Sequence, residues 1–478
     1  MPATVEIPTW LVGVALILAG ITLLNHFLLP AVRWFLRRRV NRVIDEVNTR
    51  LKLELPRFQL TKREVLIDRL TYDPEIIAAV EIAARERDTT RDAIMAEVVT
   101  YAREMVPAFN AYFYFRIGYW LARKFVRMFY WVRLGYADEI VLGEIPPNTA
   151  VVFFMNHRFN MDYMLVSYLA ARSAALSYGA GEWARVWPLR SILRSAGAYI
   201  VRRGADNPLY RKILERYVQM ATESCVPHAV FAEGRLSRDG KVHNPKLGLL
   251  GYITKTFDSD GSFDILFIPV GINFDRVMEE RTLVANEDTD FRGRGSRFVL
   301  GSSARYLLTQ IWRRLTGQWV GYGVACASFG KPISLKEWAR RNRVNFAKLD
   351  QDKRFKMVER LGLDLSRELA AVIPVLAVPL VSTVLINAKM PLGRMDILSQ
   401  AHDLLLAMKQ RGAHIALREE NEVTALENGL LLLKGRDLLL EDEAGLLSIQ
   451  PQEVPLLTYY ANSVGHLRPG RKWTPSDA

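Results

Sequence analysis

From about Asp138 onward, short apolar runs alternate with stretches of helical pattern, and this alternation constrains the possible folds most strongly. Each run has the length of a buried strand and is bounded by glycine, proline or polar residues. The predicted strands are residues 140–142, 151–154, 198–201, 229–231 and 265–268. Between two of them, Asn207-Pro208 predicts the start of a helix. Strand, helix and strand in this order favour right-handed crossovers, so we expect an α/β fold with a mostly parallel sheet flanked by helices.

An uncharged segment, residues 7–32, precedes this region and predicts a transmembrane or membrane-embedded helix. About 20 apolar helical residues cross a hydrocarbon layer ~30 Å thick. Basic residues follow at once, beginning with Arg33 and Arg37, so the positive-inside tendency predicts a catalytic domain on the cytoplasmic side of the cell (inner) membrane. A cleaved signal peptide would carry its basic residues before the apolar core instead. A hairpin lying in the membrane interface, which Pro30 permits, stays open as the alternative.

A second uncharged window spans residues 369–388. Pro374 and Pro379 lie inside it, and proline removes a hydrogen bond from a helix and clashes with the preceding turn. We therefore predict a buried strand or a broken helix in a core for this window, rather than a membrane span.

The region between the anchor and the predicted sheet has two parts. Residues 40–106 are charged and helical in pattern, whereas residues 110–134 interleave aromatic side chains with arginine and lysine. Such a mixture suits the lipid headgroup layer, and it suits equally well a helix that packs its aromatic face on a domain. Both interpretations stay open.

These patterns divide the chain into four predicted regions. They are an N-terminal membrane anchor (1–32), a helical membrane-proximal region (33–136), the α/β domain (137–390) and a mainly helical C-terminal region (391–478).

The charge balance narrows the possible partners. Lysine and arginine number 64 against 51 aspartates and glutamates, a net charge of +13, which favours phosphate-bearing partners such as anionic lipid or coenzyme A. No nucleic-acid-binding motif accompanies this charge, so we expect no nucleic-acid partner. The two cysteines, Cys225 and Cys326, are too few for a disulfide framework or a structural zinc site. We expect neither a metal nor a cofactor.

A histidine and a carboxylate follow the predicted strand 151–154, where a helical pattern begins. His157 and Asp162 are five residues apart and would point ~140° away from each other on a continuous helix. We therefore expect them to lie across a turn, where the carboxylate accepts a hydrogen bond from one imidazole nitrogen. That bond would fix the tautomer and leave the other nitrogen free to take a proton.

Three other segments end strands with charged or flexible residues. They are residues 197–203, 231–241 and 268–280. Because the carboxyl ends of parallel strands meet at one edge of a sheet, these segments predict a cationic pocket beside His157. Guanidinium groups in such a pocket suit bidentate recognition of a phosphate.

These segments resemble four ordered blocks of a known family, the membrane-bound glycerolipid acyltransferases, and within it most closely the glycerol-3-phosphate acyltransferases. His157-Arg158-x3-Asp162-Tyr163 is similar to the first block, and Gly197 to Arg203 to the second. Phe231-x-Glu233-Gly234 with Ser237-Arg238-x-Gly240 is similar to the third block. Ile268-Pro269-Val270 through Glu280 is similar to the fourth. Residues 329–333 and 457–463 also resemble the long bacterial members.

The resemblance implies a set of site residues. The implied catalytic residues are His157 and Asp162. The implied substrate-binding residues are Arg158, Arg202, Arg203, Glu233, Gly234, Arg235, Ser237 and Arg238. The third block of the family usually carries its arginine two places after the glycine, where this chain has Leu236, and Arg235 comes one place early. Either Arg235 or Arg238 therefore remains a candidate for the phosphate.

The resemblance also implies a function: transfer of a fatty acyl group from acyl-CoA or acyl carrier protein to glycerol 3-phosphate, giving lysophosphatidate in the first step of phospholipid biosynthesis. Anionic membrane lipids are the other expected partners. The chain is shorter than the long bacterial enzymes, so a lysophosphatidate or dihydroxyacetone-phosphate acyltransferase stays open. So does a non-catalytic, membrane-anchored lipid-binding protein.

Overall fold

The computed structural model describes most of the chain beyond residue 54. The described residues are 55–137, 145–146, 148–160, 162–170, 175–181, 189–202, 207–284, 321–471 and 473–475, with Trp10, Gly13, Thr22, Thr309, Trp312 and Thr316 besides. Apart from three single residues, the predicted anchor at 1–32 lies outside this part. The predicted strand 140–142 also lies outside it. In the part of the chain that is described, no helix is both long enough and apolar enough to span a bilayer.

Helices fill the region before the sheet, as its charged helical pattern predicts. They are α1 (Arg57–Leu60), α2 (Arg63–Thr71), α3 (Pro74–Glu86), α4 (Arg91–Met105) and, after a π-helical stretch at Phe113–Gly118, α5 (Tyr119–Phe129). Asp73 caps α3 by accepting a hydrogen bond from the Glu75 amide, and Pro74 occupies the first turn.

The sheet and its connections follow. The strands are β1 (Trp131–Ala137), β2 (Thr149–Met155), β3 (Ser177–Ala180), β4 (Ala198–Ile200), β5 (His228–Phe231), β6 (Asp264–Phe274), β7 (Val324–Phe329) and β8 (Ile333–Ser334). The helices among them are α6 (Asp162–Ala170), α7 (Leu189–Ser195), α8 (Pro208–Glu223), α9 (Leu247–Thr254) and α10 (Glu280–Val284). Asn207 caps α8 with its side chain, as Asn207-Pro208 predicts.

The C-terminal part is mainly helical. It contains α11 (Leu335–Asn342), α12 (Gln351–Ala371), α13 (Ala377–Asn387), α14 (Arg394–Gln410), α15 (Glu422–Lys434) and α16 (Val454–Ser463). A small antiparallel pair, β9 (Leu439–Glu441) and β10 (Leu447–Ile449), precedes α16.

The sheet has the order β1-β7-β6-β2-β5-β3-β4, with β8 paired to β6. Strands β6, β2, β5, β3 and β4 are parallel neighbours. Strand β7 runs antiparallel to β6, and β1 runs parallel to β7. The predicted α/β fold with a mostly parallel sheet flanked by helices is therefore confirmed.

Apolar side chains cover both faces of this sheet. In β2, Val151, Phe153 and Met155 join one buried cluster, whereas Val152 and Phe154 join another. Alternate residues of a strand point to opposite faces, so the two clusters lie on the two sides of the sheet. A parallel sheet buried on both faces exposes mainly its edges, and the loops at the carboxyl edge are left to carry polar chemistry.

The second uncharged window is a broken helix in the core. Helix α12 ends at Ala371, Pro374 lies in the break, and α13 begins at Ala377 with Pro379 in its first turn. Val378, Leu380 and most of α13 are buried in the protein. The prediction of a strand or broken helix in a core is confirmed in its second form.

Candidate active site

The turn between β2 and α6 brings His157 and Asp162 together. His157 Nδ1 lies 3.0 Å from Asp162 Oδ2; the imidazole side chain is 10% exposed and the carboxylate is fully buried. An ionised carboxylate accepts hydrogen bonds only, so Nδ1 carries the proton and Nε2 keeps its lone pair. No described residue forms a hydrogen bond with Nε2. The pairing expected from the five-residue spacing is therefore present.

Asp162 also holds the turn itself. Its Oδ2 accepts hydrogen bonds from the amides of Arg158 (2.6 Å) and Phe159 (3.0 Å). Asp162 is the first residue of α6, where the helix dipole favours a negative charge. One buried carboxylate oxygen thus fixes both the backbone of the turn and the imidazole.

The register of β2 and β5 places Glu233 beside His157. Met155 pairs with Phe231. His157 lies two positions after Met155, and Glu233 lies two positions after Phe231. The Phe231 ring stacks on the imidazole, with ring centroids 3.9 Å apart. The aromatic ring covers one face of the imidazole and so limits how it can turn.

Arg158 and Glu233 are both buried near the histidine, and the charge of Arg158 acts on the Glu233 carboxyl group. Arg158 is 1% exposed and Glu233 is 2% exposed. Arg158 Nη1 donates to the Gly240 carbonyl, whereas its Nε and Nη2 make no hydrogen bond with a described residue. Neither Glu233 oxygen makes an aligned hydrogen bond in the described part of the chain. Burial raises the pKa of Glu233 to about 7, although the charge of Arg158 opposes this shift.

We expect Glu233→Gln to change the pH dependence of stability. The folded-state pKa of about 7 exceeds the ordinary 4.5, so the folded protein retains a proton that the unfolded chain releases. The associated stability is complete below pH 4.5 and is lost as the pH rises through 7. Between these limits the wild type should lose about 1–3 kcal/mol of unfolding free energy relative to the variant. Urea unfolding of both proteins across this pH range measures the difference, and parallel curves would contradict the shift.

The third block forms a loop tied directly to the histidine. The Ser237 amide donates to the His157 carbonyl (3.0 Å), and Ser237 Oγ donates to the Lys241 carbonyl (2.8 Å). Gly234 has a φ of +64°, a conformation that favours glycine. Arg235 and Arg238 are exposed on this loop, while Ser237 is buried beneath them. The loop that carries both candidate phosphate-binding arginines therefore contacts the histidine through its backbone.

Asp239 stabilises the same loop. Its Oδ1 accepts hydrogen bonds from His243 Nε2 (2.9 Å) and from the Lys241 amide (3.0 Å). Burial alone would raise the pKa of Asp239, but these two hydrogen bonds outweigh it and lower the pKa to about 2. Asp239 therefore stays ionised at physiological pH and remains an acceptor for both of these hydrogen bonds.

Arg202 is not brought to the histidine. It follows β4, which is separated from β2 by β5 and β3. Its guanidinium pairs with Glu104 (2.5 Å) and lies over the Tyr101 and Tyr210 rings. Arg202 thus links α4 to the sheet, which corrects its predicted place in a pocket beside His157. Its neighbour Arg203 lies outside the described residues.

Two polar residues beside the His157–Asp162 pair are not among the site residues predicted from the sequence. Asn156 forms two hydrogen bonds with Ile272 of β6. Its side-chain oxygen accepts from the Ile272 amide (2.8 Å), and its side-chain nitrogen donates to the Ile272 carbonyl (2.9 Å). Asn160 Nδ2 donates to Glu279 Oε2 (2.7 Å), and burial raises the pKa of Glu279. An amide residue directly after an apolar strand is the signal that would have pointed to Asn156.

Two cavities formed by the described residues lie apart from the His157 turn. One, of about 290 Å³, is lined by Phe58, Arg63, Ser177 and Gly197, and the other, of about 250 Å³, lies beside Asp275. Neither is lined by His157. Among the described residues, no group of three or more histidine, cysteine, aspartate or glutamate side chains is arranged to hold a metal ion.

Comparison with known families matches two consecutive parts of the chain. Residues 141–273 match the model of the family described as acyltransferase. Residues 309–468 match that of the glycerol-3-phosphate acyltransferase C-terminal region. The first match contains the His157 turn and the third-block loop, so the class of protein to which this part of the chain is similar is the acyltransferases.

Within that class, the chain is similar to glycerol-3-phosphate acyltransferases. The enzymes so named from Ectopseudomonas mendocina and Pseudomonas syringae pv. tomato are each 25% identical over 427 residues, which is 85% of this chain and 49% of the relative. The one from Pseudomonas fluorescens is 25% identical over 427 residues and is covered to 48%. The chain spans about half the length of the curated relatives it matches. The predicted resemblance is confirmed over both matched regions.

Proposed function

We propose that this protein is a glycerol-3-phosphate 1-O-acyltransferase, which uses acyl-CoA or acyl carrier protein as donor and produces lysophosphatidate. The observation that carries the proposal is the turn at β2, where a buried Asp162 holds His157 with Nε2 free of partners among the described residues. The relatives named above are called glycerol-3-phosphate acyltransferases.

In the proposed reaction, His157 Nε2 takes the proton of the acceptor hydroxyl. The hydroxyl oxygen then attacks the thioester carbonyl, the new C–O bond forms, and the C–S bond breaks. The thiolate leaves with the proton that the imidazolium returns. A thiol with a pKa near 8.5 is a good leaving group, so the base is needed for the hydroxyl. Asp162 stabilises the imidazolium that forms in this step.

The acceptor is tested by competition. The full chain, purified in detergent, is supplied with labelled glycerol 3-phosphate, lysophosphatidate and dihydroxyacetone phosphate together, with a long-chain acyl-CoA or acyl carrier protein as donor. We expect labelled lysophosphatidate from glycerol 3-phosphate as the main product. Phosphatidate, or acyl dihydroxyacetone phosphate, as the main product would replace the proposed acceptor. Binding without any product would favour the non-catalytic lipid-binding alternative.

The third-block arginines should serve the phosphate of the acceptor. We expect Arg235→Gln and Arg238→Gln each to raise the KM for glycerol 3-phosphate about tenfold, the loss of one charge-assisted contact, with the donor KM changed less than twofold. Lys348→Gln, an exposed cation paired with Asp260, serves as the control. Equal effects on both substrates would contradict a phosphate role for the arginine concerned.

We also place the enzyme on the cytoplasmic face of the cell membrane, with residues 1–32 as its anchor. An aromatic-cationic face on the π-helical stretch and α5, continued by β1, supports this. Its exposed members are Arg116, Ile117, Trp120, Leu121, Arg123, Lys124, Arg127, Trp131, Arg133 and Leu134. Residues 105–137 contain no aspartate or glutamate, so the face complements an anionic lipid surface.

Helix α5 uses its opposite side for packing. Ala122, Val126 and Phe129 are buried, whereas Trp120 and Trp131 are 54% and 56% exposed. The packing interpretation of residues 110–134 therefore accounts for one side of the helix, and the headgroup layer would receive the other.

A local probe tests this face independently of the predicted anchor. In a Cys225→Ser background, Trp120→Cys carries an environment-sensitive fluorophore, and Ile82→Cys, an exposed position on α3, is the control. In vesicles with phosphatidylglycerol, the probe at position 120 should shift to the blue and be quenched by lipid-borne quenchers, and the probe at position 82 should not. Equal water exposure at both positions would refute contact of the aromatic-cationic face with the bilayer.

A further inference from the structure

Helix α16 packs against the loop that carries the third-block arginines. Asn462 Nδ2, on α16, donates to the Asp239 carbonyl (2.9 Å). Gly240 has a φ of +80°, and a Cβ at this position would lie 1.9 Å from the Tyr459 carbonyl oxygen. The backbones of the loop and the helix therefore meet without room for a side chain.

Further contacts extend this junction. Trp473 Nε1 donates to the Val242 carbonyl (3.0 Å), just beyond the loop. The Tyr460 hydroxyl bonds to the Val277 amide (3.0 Å) and to the Glu280 carboxylate, both in the fourth block. One helix thus contacts two of the four sequence blocks.

The Tyr459 side chain also lies near three buried charged residues of the site, Arg158, Asp162 and Glu233. Its ring is buried, and burial raises the pKa of its hydroxyl while the charge of Arg158 opposes that shift. Asp162 and Glu233 are the other charged groups that act on the hydroxyl. Arg158 in turn donates to the carbonyl of Gly240, the residue against which Tyr459 packs. Arg158, Gly240 and Tyr459 therefore form one buried junction.

We infer that Asn462 and Tyr459 are positioning residues of the active site. Asn462 holds the third-block loop by its hydrogen bond to the Asp239 carbonyl, and Tyr459 packs its backbone against Gly240 with its buried side chain near Arg158. Through these contacts α16 keeps Arg235 and Arg238 in reach of an acceptor phosphate beside His157. This inference rests on the proposed function for its kinetic consequence, but not for the contact itself.

The contact is tested first by hydrogen exchange of the full chain. In Asn462→Ala, amides of residues 237–243 should exchange about tenfold faster than in the wild type. The control is Thr458→Ala, on the same helix, whose hydroxyl donates within α16 to the Val454 carbonyl. Unchanged exchange in Asn462→Ala would overturn the inference. This readout does not depend on acyl transfer, so it stands or fails separately from the proposed function.

Kinetics test the positioning role. Asn462→Ala should raise the KM for glycerol 3-phosphate five- to tenfold, with kcat and the donor KM within twofold of the wild type. Tyr459→Phe, which keeps the packing ring, should show a smaller change in the same direction, and Tyr459→Leu a larger one. Faster loop exchange with unaltered acceptor KM would show that the helix holds the loop without serving the site, which overturns the positioning role.

Discussion

His157→Ala should lower kcat/KM for acyl transfer by about 10³–10⁴-fold, while the protein still folds and binds its substrates. The expected loss is large because the neutral imidazole is the group placed to take the hydroxyl proton, and a positioned general base contributes about 10²–10⁴. His157 stacks on Phe231 and hydrogen-bonds to Asp162, but the Arg158 and Phe159 amides keep that carboxylate paired in the variant, so we expect only a modest fall in the melting temperature.

The measurement is a steady-state assay with the melting temperature recorded on the same preparation. His402→Ala is the matched control, because His402 also lies near a carboxylate, with Nε2 3.3 Å from Glu422, but on α14. Full activity is expected for that variant. Near-normal turnover by His157→Ala would remove the base from the proposed mechanism.

Substitution of Asp162 should separate catalysis from folding. Asp162→Asn keeps an oxygen for the Arg158 and Phe159 amides but loses the charge that supports the imidazolium, so kcat should fall about 10²–10³-fold with modest loss of stability. Asp162→Ala removes the acceptor from both amides and from the imidazole. It should lose the same activity and also about 2–4 kcal/mol of unfolding free energy.

Urea unfolding and steady-state kinetics on both variants provide the comparison. Asp403→Asn, on the exposed side of α14, controls for the loss of a carboxylate elsewhere. If Asp162→Asn retained wild-type kcat, the carboxylate would serve the fold alone. If Asp162→Ala were as stable as the wild type, the account of the turn would be wrong.

Local sequence patterns predicted those strands whose side chains are uniformly apolar. Strands β2, β5 and β6 lie where the apolar runs predict them because they are buried on both faces. The sequence did not predict strand β1. Its aromatic and arginine residues alternate in exposure at the edge of the sheet, so their pattern resembles a continuation of the preceding helix. Strand β7 was missed because alanine, cysteine and serine give a weak strand signal.

The contacts of the site also fall into those that the sequence predicts and those that it does not. The His157–Asp162 contact followed from spacing alone, because it is local to one turn. The position of Arg202 could not be predicted from spacing, because strand order depends on tertiary packing. Three successive strand pairings separate β4, which precedes Arg202, from β2. The contact of α16 with the third-block loop joins residues 223 positions apart, which no local pattern encodes.

The contact between α16 and the third-block loop also has a consequence for the nascent chain during translation. A polypeptide still being translated would carry its strands and the His157 turn long before residues 454–463 emerged from the ribosome. Until then, Gly240 and Glu280 would face water instead of the neighbours they have in the finished protein. Emergence of residues 454–463 would therefore be the step that gives the third-block loop its contact with α16, and shorter nascent chains would lack this contact.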